Sequence, residues 1–438
     1  MTEVVGEDPR SLDQARGRGR GRGGLLSVAV GLGIFGLSTY GYLGLAGRAL
    51  DPEVFAPLAV LWTLLNAVGI GLFLPFEQEM GRRTAARRAV GDGNGPVVRQ
   101  GLAAAGVVLG GAAVLATVFW GQLAARLFEG HGSLVLLFVL AMAGMAASYV
   151  VRGLLSGHGR FGHYGAQLAV DGVLRVVGAG ALLAAEVDGV VPFGIVLVVA
   201  PVMAVLVTTP RPSTVITPGR EQVRAAAASA LAILLGASVL SQLLANAGPV
   251  VVQLLATEGE RVASGQFTAA LVIARVPLFA FAAVQAVLLP GLAGLVGGGL
   301  VVEFARRVRF VGLVTVALGG LGTVAVWLLG AQLVPLLFGE GFGVTRGVIT
   351  LIALSGALFM VAQVAAQALL ALGSERWVLV GWGAGLIGLL LALIPHGPVT
   401  ERAAWALVIG SAVAMAVLVV TLVRERMSWQ RGLVERTS

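Results

Sequence analysis

The chain has no cysteine, so disulfides, thiolate metal sites and cysteine nucleophiles are excluded. It has no lysine either; all 30 basic residues are arginine. A Walker A phosphate loop needs its lysine, and with none present nucleotide hydrolysis on such a loop is ruled out. Only 12% of the residues are charged, against about 25% in a soluble globular chain. No connection between apolar runs exceeds about 25 residues, which leaves no room for a soluble catalytic domain.

What the chain does have is apolar length. Hydrophobic residues make up 57% of it, in runs near the roughly 20 residues that a ~30 Å hydrocarbon layer requires. Twelve spans are expected, at 25–46, 54–76, 99–119, 133–156, 165–185, 190–209, 227–256, 264–292, 310–330, 346–372, 377–395 and 403–423. The 64 glycines suit membrane helices, where small residues let backbones approach closely.

The arginines order these spans. The N-terminal tail, the even-numbered connections and the C-terminus carry 23 of them. The opposite side carries five, Arg48, Arg126, Arg261, Arg346 and Arg402, and two lie inside spans. Arginine excess marks the cytoplasmic face, so both termini are expected inside a plasma membrane. The tail alternates Arg16, Arg18, Arg20 and Arg22 with glycine. It reads as a disordered basic segment over 1–24 that meets anionic membrane lipid rather than nucleic acid. The apolar run that follows is longer than the core of a cleaved signal peptide.

A weak repeat divides the chain into lobes at 25–209 and 227–423, joined by a cytoplasmic linker at 210–226 and followed by a cytoplasmic tail at 424–438. Gln122-Leu123 with Phe128 recurs as Gln332-Leu333 with Phe338, Leu74-Pro75 as Leu289-Pro290, and Leu154-Leu155 as Leu369-Leu370. Six spans per half give parallel repeats, an arrangement that places a transported molecule between the lobes. The expected fold is therefore all-α, with twelve transmembrane helices in two six-helix lobes.

Polar residues inside spans are expensive and mark function. Arg275 lies mid-way along the eighth span, beside Pro277. Asp171 and Arg175 are four residues apart on the fifth, a spacing that favours an intrahelical pair. Ser238, Gln242, Asn246 and Gln253 form a stripe on the seventh span, which Pro249 interrupts, freeing a carbonyl. Asn66 on the second span and Ser355, Gln363 and Gln367 on the tenth are weaker forms of the same signal. Each has a structural reading as interhelical glue beside its reading as a cavity ligand. Glu77 and Glu79 read as part of a solvated, self-paired loop with Arg82, Arg83, Arg87 and Arg88, and Arg152 as snorkelling to the interface. His158 and His163 stand without further metal ligands, and no metal or cofactor is expected.

Four segments carry a family likeness: Leu-Phe-Leu-Pro-Phe-Glu-Gln-Glu-Met at 72–80, Arg-Gly-Leu-Leu-Ser-Gly-His-Gly-Arg-Phe-Gly-His-Tyr-Gly at 152–165, Asn-Ala-Gly-Pro-Val-Val-Val-Gln-Leu-Leu at 246–255 and Ala-Arg-Val-Pro-Leu-Phe at 274–279. With the six-plus-six layout from about 25 to 423, the chain resembles Wzx-like oligosaccharide-lipid flippases, the polysaccharide-transporter branch of the MOP superfamily. The resemblance implies a V-shaped, two-lobed fold with spans 1, 2, 7 and 8 around a central cavity. It implies movement of undecaprenyl-diphosphate-linked glycans to the outer leaflet, with glycan polymerases or glycosyltransferases as partners. It also implies basic cavity residues, which Arg275 matches; Arg175, Asp171, Gln242, Asn246, Gln253, Ser238 and Asn66 complete the candidate site. Relatives that flip the peptidoglycan precursor carry two further spans that this chain lacks. The alternative within the superfamily, a MATE-type drug or cation antiporter, calls for an unpaired acid deep in a lobe. A membrane glycan polymerase or ligase calls for a large external loop.

Overall fold

In the computed structural model, which describes residues 9–220, 226–257, 260 and 262–437, the chain is helical throughout and no strand occurs among the described residues. The helices are α1 (Pro9–Ala49), α2 (Pro52–Leu64), α3 (Gly71–Ala89), α4 (Gly95–Val118), α5 (Trp120–Leu127), α6 (Gly132–Gly157), α7 (Phe161–Ala184), α8 (Val190–Thr208) and α9 (Ala226–Leu255). They continue as α10 (Ala263–Ala274), α11 (Val276–Gly297), α12 (Val301–Phe338), α13 (Arg346–Ala371), α14 (Glu375–Ala392) and α15 (Val399–Thr437). Eleven helices among the described residues are long and apolar enough to cross a membrane, so the chain is a multi-pass membrane protein.

The remaining expected span, 264–292, is divided at Arg275 into α10 and α11. Arg275 is at once the C-cap of α10 and the N-cap of α11, and Pro277 follows in the first turn. A proline there has no N–H to continue the α10 hydrogen-bond ladder but fits the first turn of a new helix. The second span departs in another way. Leu65–Ile70 forms a π-helical turn between α2 and α3, and the helix runs unbroken from Pro52 to Arg88. Asn66 Nδ2 donates to the Trp62 carbonyl at 2.8 Å, using an acceptor that an α-helix gives to the backbone N–H of residue 66 and so supporting the wider turn.

Two helix ends differ from expectation. α1 begins at Pro9, so the helix extends over residues read as a disordered tail; once the span has nucleated, further residues need only propagate it. Residues 1–8, and 221–225 of the expected linker, lie outside the described residues. Glu77 and Glu79 also sit on a helix, α3, and not in a loop.

Helices before residue 210 pack mainly on one another, α1 on α7, α3 on α6, and α8 on both α6 and α7. Helices after 226 do the same, with α13, α14 and α15 packed together, α12 on α13 and α9 on α14. Glycine brings α1 and α7 together: a Cβ on Gly31 would lie 2.3 Å from the Gly165 carbonyl oxygen, so no larger residue fits. The matched phenylalanines of the repeat, Phe128 and Phe338, are both fully buried.

Alternate connections gather at opposite ends. At the arginine-rich end, Gly95 N–H donates to the Thr217 carbonyl at 2.8 Å, and Asn94 Nδ2 to the Val215 carbonyl at 2.8 Å. Arg88 reaches the His158 carbonyl (2.6 Å) and Arg160 the Thr214 carbonyl (2.9 Å). The segment after α8 is thus strapped to the loop between α3 and α4. At the other end, helices of the two halves meet. Arg48 of α1 donates to the Leu336 and Leu337 carbonyls at the end of α12, at 2.7 and 3.1 Å. Phe55 of α2 stacks edge-on against Phe338 and Phe342 at centroid distances of 6.2 and 5.2 Å.

Candidate functional site

The polar interior falls into two clusters. The first lines a cavity of about 230 Å³ enclosed by α1, α2 with its π turn, α3, α6, α7 and α8. At one end, Glu77 on α3 accepts from Arg152 Nε on α6 at 2.9 Å and from Tyr164 Oη on α7 at 2.6 Å. The guanidinium of Arg152 also lies 4.1 Å from the centre of the Tyr149 ring. The Glu77 and Arg152 side chains are only 12% and 7% exposed. One carboxylate therefore ties three helices through charge-assisted bonds. The reading of Glu77 as solvated and of Arg152 as snorkelling is corrected: the helix continues through Pro75, which turns Glu77 inward and leaves only Glu79 to pair with Arg82 and Arg83.

Further along the cavity, Arg175 forks onto Asp171, Nε to Oδ1 at 2.8 Å and Nη2 to Oδ2 at 3.2 Å. The Phe35 ring stands 5.1 Å from the guanidinium. The pair is intrahelical, as its spacing predicts, and faces the cavity alongside Asn66 and Trp62. The Trp62 indole N–H is buried with no partner among the described residues.

The second cluster centres on Arg275, where α10 gives way to α11 beside α9. Nη1 donates to Asn246 Oδ1 at 2.7 Å, and Nη2 donates to the Ala245 carbonyl. That carbonyl lies four residues before Pro249, whose missing N–H leaves it without its helical donor. Arg275 supplies the donor in its place. Pro249 thus frees the acceptor that holds this charge. Asn246 Nδ2 in turn donates to the Gln242 carbonyl at 2.9 Å and to Gln242 Oε1 at 3.2 Å. The guanidinium carries five donors and these contacts use two of them, neither to a carboxylate.

The structure thus separates residues that the sequence grouped. Arg275, Asn246 and Gln242 are together; Arg175, Asp171 and Asn66 line the other cavity. Gln253 belongs to neither. Its amide donates to Glu129 Oε1 at 3.0 Å at the exposed end where the halves meet. Ser238 contributes its carbonyl to Ser241 Oγ at 2.9 Å, one turn before Gln242. Ser355 bonds back to the Ile352 carbonyl of its own helix at 2.7 Å. No group of three or more His, Asp or Glu side chains among the described residues is placed to hold a metal ion.

Comparison with solved structures decides the fold. A multidrug resistance MATE family transporter of the MOP superfamily, in an inward-facing conformation, superposes with a TM-score of 0.70 over 95% of this chain and 99% of that one, at 15% identity. The fold is the MATE fold. A MOP superfamily transporter from Pyrococcus furiosus, whose binding pocket is described as of reverse polarity and suggestive of a different function, shares it with a TM-score of 0.67, 14% identity and coverage of 93% and 95%. A Vibrio cholerae MATE transporter does so with a TM-score of 0.64, 16% identity and coverage of 92% and 97%. In sequence, the chain is 25% identical over 412 residues to an uncharacterized protein of Mycobacterium tuberculosis, spanning 88% of both chains. It is also 25% identical over 428 residues to one of Mycobacterium bovis, spanning 91% of both. No family model matches it. Within the MATE fold, the two clusters occupy different places. One is enclosed among helices of the first half, and the other lies where α9 meets α10 and α11 in the second.

Proposed function

We propose that this chain is a flippase for anionic, lipid-linked oligosaccharide, with undecaprenyl diphosphate as the carrier, working by alternating access between two six-helix lobes. One observation carries the reading. The interior carboxylates Glu77 and Asp171 are each neutralised by an arginine, Arg152 and Arg175, while Arg275 has no carboxylate partner among the described residues. The polar interior is left net positive, which favours an anionic cargo over a cation. The guanidinium of Arg275 suits phosphate oxygens, and the amides of Asn246 and Gln242 beside it suit sugar hydroxyls.

In this reading the termini and the arginine-rich end are cytoplasmic, in the plasma membrane, and the contacts of Arg48, Phe55 and Gln253 close the outer side. The head group enters from the inner leaflet while the polyprenyl tail stays in lipid. Glycosyltransferases or a glycan polymerase supply or consume the glycan.

Arg275→Ala should abolish appearance of the lipid-linked glycan in the outer leaflet while the protein reaches the membrane in normal amount. Arg275→Lys should keep part of the activity, since charge survives and the fork does not. Full flipping by a normally expressed Arg275→Ala protein refutes the reading. The second reading, a drug or cation antiporter, draws on the shared fold with a multidrug resistance transporter. It requires cation efflux that survives Arg275→Ala.

A further inference from the structure

A groove of about 390 Å³ runs along the outside of the second half between α12, α13 and α15. Its walls are apolar, with Val364 of α13 and Leu422 of α15 among them, but Arg309 of α12 and Arg426 of α15 both open onto it. The two arginines come from antiparallel helices and stand at the arginine-rich end. From there the groove descends one turn along α12 to Gly312 and two turns along α15 to Val419. A Cβ on Gly312 would meet nothing within 4 Å, so the groove is open at that depth. Beyond the arginines, Phe304 and Trp429 close the polar end, edge to face at a centroid distance of 5.6 Å.

No carboxylate among the described residues lies within ion-pair distance of either guanidinium, and Glu425 is engaged by Ser374 Oγ at 2.7 Å. Arg426 Nε is buried with no hydrogen-bond partner. The rest of the Arg426 guanidinium opens onto the groove, where an anion offsets the cost of a buried charged donor left unpaired.

We infer that this groove binds one anionic phospholipid, with its phosphate held between Arg309 and Arg426 and an acyl chain lying over Gly312. Charge and shape agree on this occupant. Two cations at headgroup level meet an anion, the apolar channel below them meets a hydrocarbon chain, and the aromatic pair sits where membrane-interface aromatics collect. The site is apart from both polar clusters of the interior and does not depend on the cargo.

Native mass spectrometry of the purified full chain in detergent, titrated with dioleoyl phosphatidylglycerol or the zwitterionic dioleoyl phosphatidylethanolamine, tests this. The intact protein should hold the first about tenfold more tightly, the scale of one charge-assisted hydrogen bond. The double variant Arg309→Gln with Arg426→Gln should lose that preference. Gly312→Leu, which fills the channel and leaves the arginines in place, should weaken both lipids alike while keeping the preference. Equal binding of phosphatidylglycerol by the intact protein and the double variant would overturn the site. Unchanged binding by Gly312→Leu would overturn the placement of the chain. Displacement of phosphatidylglycerol by an equimolar polyprenyl phosphate would overturn the phospholipid as occupant.

Discussion

Replacing Glu77 with glutamine removes one negative charge and almost no volume from a point where three helices meet. In the native arrangement the carboxylate receives Arg152 Nε at 2.9 Å and Tyr164 Oη at 2.6 Å, and both members of the ion pair are nearly inaccessible. Glutamine can still accept a hydrogen bond, but Arg152 then keeps a buried charge without a counter-ion. Removing one member of a buried pair costs about 3–5 kcal/mol. Tyr164→Phe deletes a single bond to a charged acceptor and leaves the ion pair intact, so its cost should be lower, about 1.5–3 kcal/mol. The double change Glu77→Gln with Arg152→Gln removes both charges and should recover most of the loss, since buried pairs replaced together are often near neutral. Unfolding of the native chain, Glu77→Gln, Arg152→Gln and the double variant in mixed detergent micelles, followed by circular dichroism, gives the four values of the cycle. A coupling energy near zero, with the double variant as unstable as the sum of the singles, would refute the claim that Glu77 and Arg152 stabilise one another. It would return Glu77 to the solvated role its neighbours suggest.

Three other expectations are simpler to state. Asp171→Asn should destabilise the fold more than Asp171→Asn combined with Arg175→Gln; additive losses in the same unfolding assay would separate the two side chains and make Asp171 the unpaired acid that an antiporter calls for. With no native cysteine, Gly162→Cys and Gly343→Cys, both at open positions, report topology; an impermeant maleimide should label 343 and not 162 in intact cells, and the reverse pattern overturns the orientation. The backbone N–H of Arg220 holds the Asp92 carboxyl below its usual 3.8, aided by the N–H of Gly93 and by Arg87. A lowered carboxylate pKa contributes stability that is complete above the unfolded value and is lost as pH falls through the folded one. Amide protection in 217–220 should therefore hold from pH 7 to 5 and fall only below about pH 4, whereas Asp92→Asn should loosen it at every pH.

The spans were legible because nothing else in a chain this poor in charge produces runs of such length, and the helices recover eleven of them, several running on a turn or more past the expected ends. Arg275 was legible for the same reason: a lone charge in an apolar run stands out. Its partner was half legible, since Pro249 announces a freed carbonyl but not which donor takes it. Glu77 was not legible. It stands two residues from Glu79 and near four arginines, a pattern that reads as local pairing, whereas its partners lie 75 and 87 residues away on other helices. The division of the polar stripe on α9 was hidden too, because helical periodicity gives a direction around the axis and not the neighbour met at each height. At the π turn Leu65–Ile70 the side chain of Asn66 takes the Trp62 carbonyl, a local exchange that composition does not register.

The hold that Pro249 gives Ala245 on Arg275 separates the residue that bears the charge from the residue that stations it. In genetic terms, position 249 is a remote control for position 275. Any residue with an N–H at 249 offers the Ala245 carbonyl a helical donor that competes with the guanidinium and leaves Asn246 as its remaining anchor, with the charge itself untouched. Changes at the two positions should then be epistatic, the effect of a substitution at 249 vanishing once Arg275 is gone. On the proposed function, a homologue that had exchanged the proline would carry the same arginine with a different reach, and cargo preference would drift along a lineage while the charged residue stayed constant.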